Sequence, residues 1–215
     1  MSNEFKSLFM LDPDVTYFNH GAYGGCPKEI FNVMLEWQNI LEINPSKYMD
    51  ELFENLENSR VSLSKYIDCN KNDIVFFANP TTAMNTVVKN LNLNPGDEIL
   101  STDHEYGAMN ITWNYICEKT GAKFIRTEIP TPYVSKDDFI NAIEKNITPK
   151  TKMIFLSHIT SSTALIFPVK EICELAKKYN ILSFVDGAHA PAQIPVSIKE
   201  INPDYYAGAC HKWMC

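Results

Sequence analysis

Two hydrophobic spacings alternate along the chain. From Pro27, "PKEIFNVMLEWQNIL" (27–41) and then "SKYMDELFENLENSRVSLSKYI" (46–67) place apolar residues three and four apart, which predicts two helices, with Pro27 set where a helix starts without needing its N–H. Short apolar runs follow: "DIVFFA" (73–78), "EILST" (98–102), "KFIRTEI" (123–129), "KMIFLSHI" (152–159) and "ILSFVD" (181–186). Between them lie the helical patterns "TTAMNTVVKNL", "GAMNITWNYICEKTG", "SKDDFINAIEKNI" and "VKEICELAKKY". Strand–helix–strand repetition over this length predicts an α/β fold with a mostly parallel sheet sandwiched by helices. Several runs are apolar throughout, as strands covered on both faces should be. "LNPGDE" (93–98) and "TGAK" (120–123) read as helix-to-strand turns, and a short final strand is expected around Tyr205 to Ala207.

Composition narrows the class. The 215 residues are 45% hydrophobic and 12% aromatic, enough for a sizeable core, and the formal net charge is -7. No stripe of Lys and Arg marks a nucleic-acid or anionic-membrane surface, so small molecules are the expected ligands. The start, "MSNEFKSLFMLDPDVTYF", lacks the basic head and apolar core of a signal peptide, and no later run reaches membrane-spanning length. Six cysteines without CxxC spacing fit reduced thiols, and a cytoplasmic protein is expected.

In open α/β sheets ligands bind beyond the carboxyl ends of the strands. That rule selects Asn79 to Thr82, Asp103 to Tyr106, His158 to Thr163 and Asp186 to His189, and a strand near residue 205 would deliver Cys210, His211 and Lys212 to the same rim. Thr81 and Thr82 stand at a helix start, which suits a phosphate but equally a plain helix cap. Neither GxGxxG nor GxxxxGK[ST] occurs, which counts against dinucleotide and P-loop sites. Asp186 closes an apolar run, and a buried carboxylate there would keep a ring nitrogen protonated, while Gly187 and Ala188 would let a flat ligand approach the backbone. Lys212, beside His211, supplies an amine able to form a Schiff base. Alternatively, Cys210, His211 and Cys215, with His189 or His158, would offer ligands to zinc, although the spacing matches no recognised zinc pattern.

Six stretches together carry a family resemblance: "YFNHGAYG" (17–24), "NPTTAMN" (79–85), "DHEYGAMNITW" (103–113), "SHITSSTALIFPVKEI" (157–172), "DGAHA" (186–190) and "CHKW" (210–213). The chain resembles the class V aminotransferases, fold-type I enzymes dependent on pyridoxal phosphate, and within them the isopenicillin N epimerase-like branch and, more distantly, the cysteine desulfurases. The resemblance implies that Lys212 forms the Schiff base and moves the substrate's α-proton. It implies that Asp186 pairs with the pyridinium nitrogen, that His189 and Ser161 reach the phenolic oxygen, and that Thr81, Thr82 and His211 hold the phosphate. His104 and Tyr106 are alternative rings for stacking on the cofactor. Asn19, His20 and Gly21 would line the substrate side.

The resemblance further implies an N-terminal segment (1–30) on the substrate side and a partial cofactor-binding large domain of the aspartate aminotransferase type (31–215), incomplete at its C-terminus and without the small domain. An amino-acid substrate is implied, as is a homodimer in the full-length protein, with no nucleic-acid or membrane partner. Epimerase, aminotransferase, desulfurase and β-lyase chemistry all remain open. Ala209 stands where relatives often have Ser or Asn, and the chain stops three residues after Lys212. This chain alone is therefore expected to be inactive, and a non-catalytic remnant is the further alternative.

Overall fold

The computed structural model describes residues 5–132 and 135–214. They form two units, Met1–Val75 with Cys210–Cys215, and Phe76–Ala209.

In the first unit, α1 (Lys28–Ile43) and α2 (Pro45–Tyr66) pack on each other. A single residue joins them. Asn44 donates its backbone N–H to Ile40 at 3.1 Å, closing α1, while its side chain accepts from the Lys47 N–H at 3.1 Å, opening α2 with Pro45 at the first turn. The N-terminal segment runs back along the start of α1, Phe9 bridging Pro27. The short helix α8 (Cys210–Trp213) belongs to this unit.

The second unit is the predicted α/β body. Helices α3 (Pro80–Lys89), α4 (Gly107–Thr120), α5 (Lys136–Lys145), α6 (Val169–Lys178) and α7 (Ile198–Ile201) alternate with strands β1 (Glu98–Thr102), β2 (Lys123–Thr127), β3 (Thr151–Ser157), β4 (Leu182–Gly187) and β5 (Tyr205–Gly208). The strands form an all-parallel sheet in the order β2-β1-β3-β4-β5. Successive side chains point to opposite faces. Ile99, Met153, Phe155, Phe184 and Ala207 face Met84 and Val88 of α3 and Met109, Trp113 and Ile116 of α4 in one apolar cluster. Leu100, Ile154, Leu156 and Val185, one position out of phase, are fully buried as well, and α6 packs on β3 and β4. Both faces are thus covered, which is why these strands lack polar alternation. Each large side chain sealed in this way contributes ~1.5–3 kcal/mol of transfer free energy.

Gly121 ends α4 at φ 76°, a left-handed turn that a side chain would oppose, so the turn read from "TGAK" is formed. The run "DIVFFA" departs from expectation. Residues 74–77 pair with no strand among the described residues, and Val75, Phe76 and Phe77 stand 70%, 41% and 42% exposed. Local propensity favours extension there, but a strand exists only through a hydrogen-bonded neighbour. No helix among the described residues is long and apolar enough to cross a membrane.

Candidate active site

The strand order reverses at β1, which has β2 on one side and β3 on the other. The crevice beyond the carboxyl ends of β1 and β3 is the topological switch point where such sheets bind ligands. The loop 103–106 fills it. Asp103 accepts from the Ile129 N–H at 3.0 Å. Nε2 of His104 lies 2.8 Å from the Ile129 carbonyl, and because a carbonyl can only accept, the proton resides on Nε2 and Nδ1 accepts from the Thr163 hydroxyl at 3.1 Å. Thr163 in turn meets Thr160 at 2.7 Å, and the imidazole stands edge-on to Phe167. His104 therefore ties the end of β2 to the turn after β3, with a side chain 9% exposed, whereas Tyr106, capping α4, is 45% exposed. Of the two aromatic candidates, His104 has both ring nitrogens engaged and Tyr106 presents its ring.

Between these two sits Glu105, a residue that the motif reading passed over. It is buried, and its carboxyl oxygens lie 2.7 Å from the Thr102 hydroxyl and 2.6 Å from the Ser157 hydroxyl, at the ends of β1 and β3. Burial, with the Asp186 charge adding to it, pushes the carboxyl up to about 8 against the pull of the hydrogen bonds from Ser157 and Thr102. Sequence offers only a weak signal for this: one acid among the polar residues of "DHEYGA", with nothing local to show that it turns inward.

Asp186 is buried near the end of β4, in register with Ser157 on one side and Ala207 on the other. Its Oδ1 accepts from the Ala188 N–H at 3.0 Å and its carbonyl from the His158 N–H at 2.8 Å. Gly187 also makes room within the fold. A Cβ there would overlap the ring of Tyr206 on β5, so the small residue admits a neighbouring side chain. The Tyr206 hydroxyl reaches Nδ1 of His158 at 3.0 Å. Burial lowers His158 to about 4, and burial together with Asp186 pushes the Tyr206 phenol well up, so both stay neutral. His189 follows in the turn after β4, half-buried.

Thr81 and Thr82 open α3 as expected, but two donors of Thr82 are already used. Asn79 accepts from the Thr82 N–H at 2.8 Å and from its hydroxyl at 3.1 Å. Ser161 is exposed in the turn after β3, which an Ile159–Ile166 bridge closes. The structure thus gathers Thr81, Thr82, His104, Tyr106, Ser161, Asp186 and His189 in the second unit, each after a strand or at a helix start.

His211 and Lys212 lie in α8, which begins two residues after β5 ends, and belong to the first unit with Asn19, His20 and Gly21. There the imidazole of His20 stands 6.2 Å from the Trp213 ring and 4.9 Å from that of Tyr17. A Cβ on Gly24 would overlap the backbone carbonyl oxygens of His211 and Lys212. "YFNHGAYG" and "CHKW", almost two hundred residues apart, are packed together. Among the described residues no cluster of three His, Cys, Asp or Glu is placed to hold a metal ion; Cys215, a ligand in the zinc reading, lies outside them.

Isopenicillin N epimerase of Streptomyces clavuligerus is 31% identical over 212 residues, 98% of this chain and 53% of the relative. A probable chloroplastic L-cysteine desulfhydrase of Arabidopsis thaliana is 26% identical over 229 residues, 99% of this chain and 48% of that protein. The solved cystine C–S lyase C-DES, in complex with cysteine persulfide, superimposes with a TM-score of 0.88 at 24% identity, over 94% of this chain and 55% of its own, which shows the shared fold. The chain spans about half the length of the curated relatives it matches. The profile described as "Aminotransferase class-V" matches residues 27–215, nearly the whole chain, and the chain belongs to that family.

Proposed function

We propose that this chain is the cofactor-binding part of a pyridoxal-phosphate-dependent enzyme acting on an amino acid, of the isopenicillin N epimerase-like kind. The observation that carries the reading is Asp186, a buried carboxylate near the end of a central parallel strand, in a chain whose family is class V aminotransferase. The residues present fit the cofactor. A carboxylate at that depth favours a protonated ring nitrogen, the opening turn of α3 with Thr81 and Thr82 suits a phosphate, and the exposed ring of Tyr106 suits a flat heterocycle. Bound there, pyridoxal phosphate supplies an electron sink for the bonds at the substrate's α-carbon.

The chain's own groups do the rest. Asp186 would keep the ring nitrogen charged, Tyr106 would offer its ring for stacking, and His189 with Ser161 would address the phenolic oxygen. Lys212 would supply the amine for the cofactor aldehyde and the base for the α-proton, with His211 on the phosphate side. Asn19, His20 and Gly21, within an N-terminal segment of residues 1–30, orient the substrate, and residues 31–215 make up the cofactor-binding domain. We assign the working protein to the cytoplasm, in keeping with the free thiols of Cys26, Cys69, Cys117, Cys173 and Cys210, and to a homodimer like others of its fold type. A second reading, cleavage of a carbon–sulfur bond, is favoured by relatives named L-cysteine desulfhydrase and hercynylcysteine sulfoxide lyase.

The test is to incubate the protein with pyridoxal phosphate, reduce with borohydride and map the modified peptide by mass spectrometry. Lys212 is expected to carry the label, and Lys212→Ala to bind the cofactor without being fixed to it. A label on another lysine, or on none, overturns the assignment.

A further inference from the structure

Glu105 occupies a place that the proposed chemistry does not use. It lies in the loop after β1, at the switch point, and spans it: Thr102 at the end of β1 donates to one carboxyl oxygen and Ser157 at the end of β3 meets the other. Ser157 is the register partner of Asp186, so the two buried acids belong to adjoining positions at the carboxyl end of the sheet. The Asn110 side chain of α4 donates to the Glu105 carbonyl at 3.0 Å, pinning the backbone as well. Both hydroxyls donate to the carboxyl, and the His104 backbone N–H already donates to the Thr102 hydroxyl oxygen at 3.2 Å, so a proton on Glu105 turns the Ser157 hydroxyl into the acceptor while Thr102 goes on donating. Two buried carboxylates so placed would repel each other with little screening, and removing the charge from one is the less costly state.

We propose that Glu105 is a positioning residue for Asp186, bracing the crevice between β1 and β3 and carrying the proton that lets Asp186 keep its charge. The titratable groups on the loops and strand ends of this rim are Asp103, His104 and Tyr106 in its own loop, His158 after β3, Asp186 and His189 at the end of β4, and Tyr206 on β5. Of these, the charge of Asp186 acts on Glu105 directly and raises it further. His158 stays neutral beside Asp186, and Tyr206 stays a phenol. The brace and the charge arrangement are one device: with the Ser157 hydroxyl as acceptor, the proton on Glu105 keeps the bridge closed and spares Asp186 a like-charged neighbour. As a role toward the cofactor's ring nitrogen this rests on the proposed function. As a property of the protein it does not.

The experiment therefore has two arms. Without cofactor, the Glu105 carboxyl is followed by carbon-13 NMR against pH in the whole chain, assigned by its loss in Glu105→Gln. It should titrate far above the ordinary carboxylate range and move down in Asp186→Asn. Titration in the ordinary range, or indifference to Asp186→Asn, overturns the proposal. With pyridoxal phosphate, Glu105→Gln should retain the wild-type dissociation constant at neutral pH, because the amide reproduces a neutral acid in the same bridge, while Glu105→Ala should bind about tenfold more weakly, having removed the acceptor of two buried hydroxyl protons. Equal losses in Gln and Ala would overturn it too. Failure of the wild-type chain to bind pyridoxal phosphate would count against the proposed function alone, since the cofactor-free arm still decides the relation between Glu105 and Asp186.

Discussion

The ring of Tyr206 occupies the space that a side chain on Gly187 would need. The two residues sit on adjoining strands, Gly187 in register with Gly208 and Tyr206 with Val185, and the phenol extends from there to Nδ1 of His158. Gly187→Ala forces a methyl into that ring and should cost ~1–3 kcal/mol. Denaturant unfolding of the single variant and of Gly187→Ala in a Tyr206→Ala background measures it. The methyl should cost nothing once the ring is gone, and an equal cost in both backgrounds would refute the contact.

His158 makes stability depend on acid. Burial holds its folded-state value at about 4, below the 6.5 of an ordinary imidazole, so between those values the unfolded chain binds a proton that the folded chain does not. Stability from this group is complete above about 6.5 and is lost as pH falls through about 4. Glu105 acts in the opposite sense: raised from 4.5 to about 8, it makes stability fall as pH rises across that window. Unfolding midpoints against pH should thus pass through a maximum, with the acid limb flattened in His158→Asn and the alkaline limb flattened in Glu105→Gln. An unchanged acid limb in His158→Asn would show that the imidazole is not held neutral.

Gly24 bears on Lys212 through backbone alone. Because a Cβ there would meet the carbonyl oxygens of His211 and Lys212, no side-chain rotation relieves the overlap. Gly24→Ala is expected to lose ~1–3 kcal/mol and to displace the turn that carries the lysine. Borohydride fixation of pyridoxal phosphate to Lys212 should fall in parallel. Full fixation at wild-type stability would mean that the N-terminal segment does not govern this turn.

His104 and Tyr106 should separate by what each loses. His104→Ala leaves the Ile129 carbonyl without its partner and the Thr163 hydroxyl with Thr160 alone, and should cost ~1–3 kcal/mol of stability. Tyr106→Ala removes an exposed ring and should leave stability nearly unchanged while weakening pyridoxal phosphate binding by about 0.5–1.5 kcal/mol, with Tyr106→Phe retaining it. Measured together, unfolding and cofactor titration would reverse the assignment if His104→Ala impaired only binding.

The sequence by itself determined the α/β class, the order of the elements and the rim positions after each strand, because helix and strand periodicity are set by neighbours a few residues away. Thr81, Thr82, Asp186 and the turn at Gly121 were legible for that reason. Tertiary structure decided what depends on residues far apart in the chain. "DIVFFA" has strand propensity yet pairs with no strand among the described residues, because pairing needs a partner that propensity does not supply. Gly187 is small for the sake of Tyr206, nineteen residues on, and Gly24 for the sake of a turn almost two hundred residues away. Glu105 is any acid in a polar loop until the ends of β1 and β3 enclose it, and His104 and Tyr106, equivalent as aromatic residues two apart, differ in the fold because Ile129 and Thr163 take both nitrogens of one ring. Burial and hydrogen-bond satisfaction are properties of the assembled neighbourhood, and so are the shifted proton affinities that follow from them.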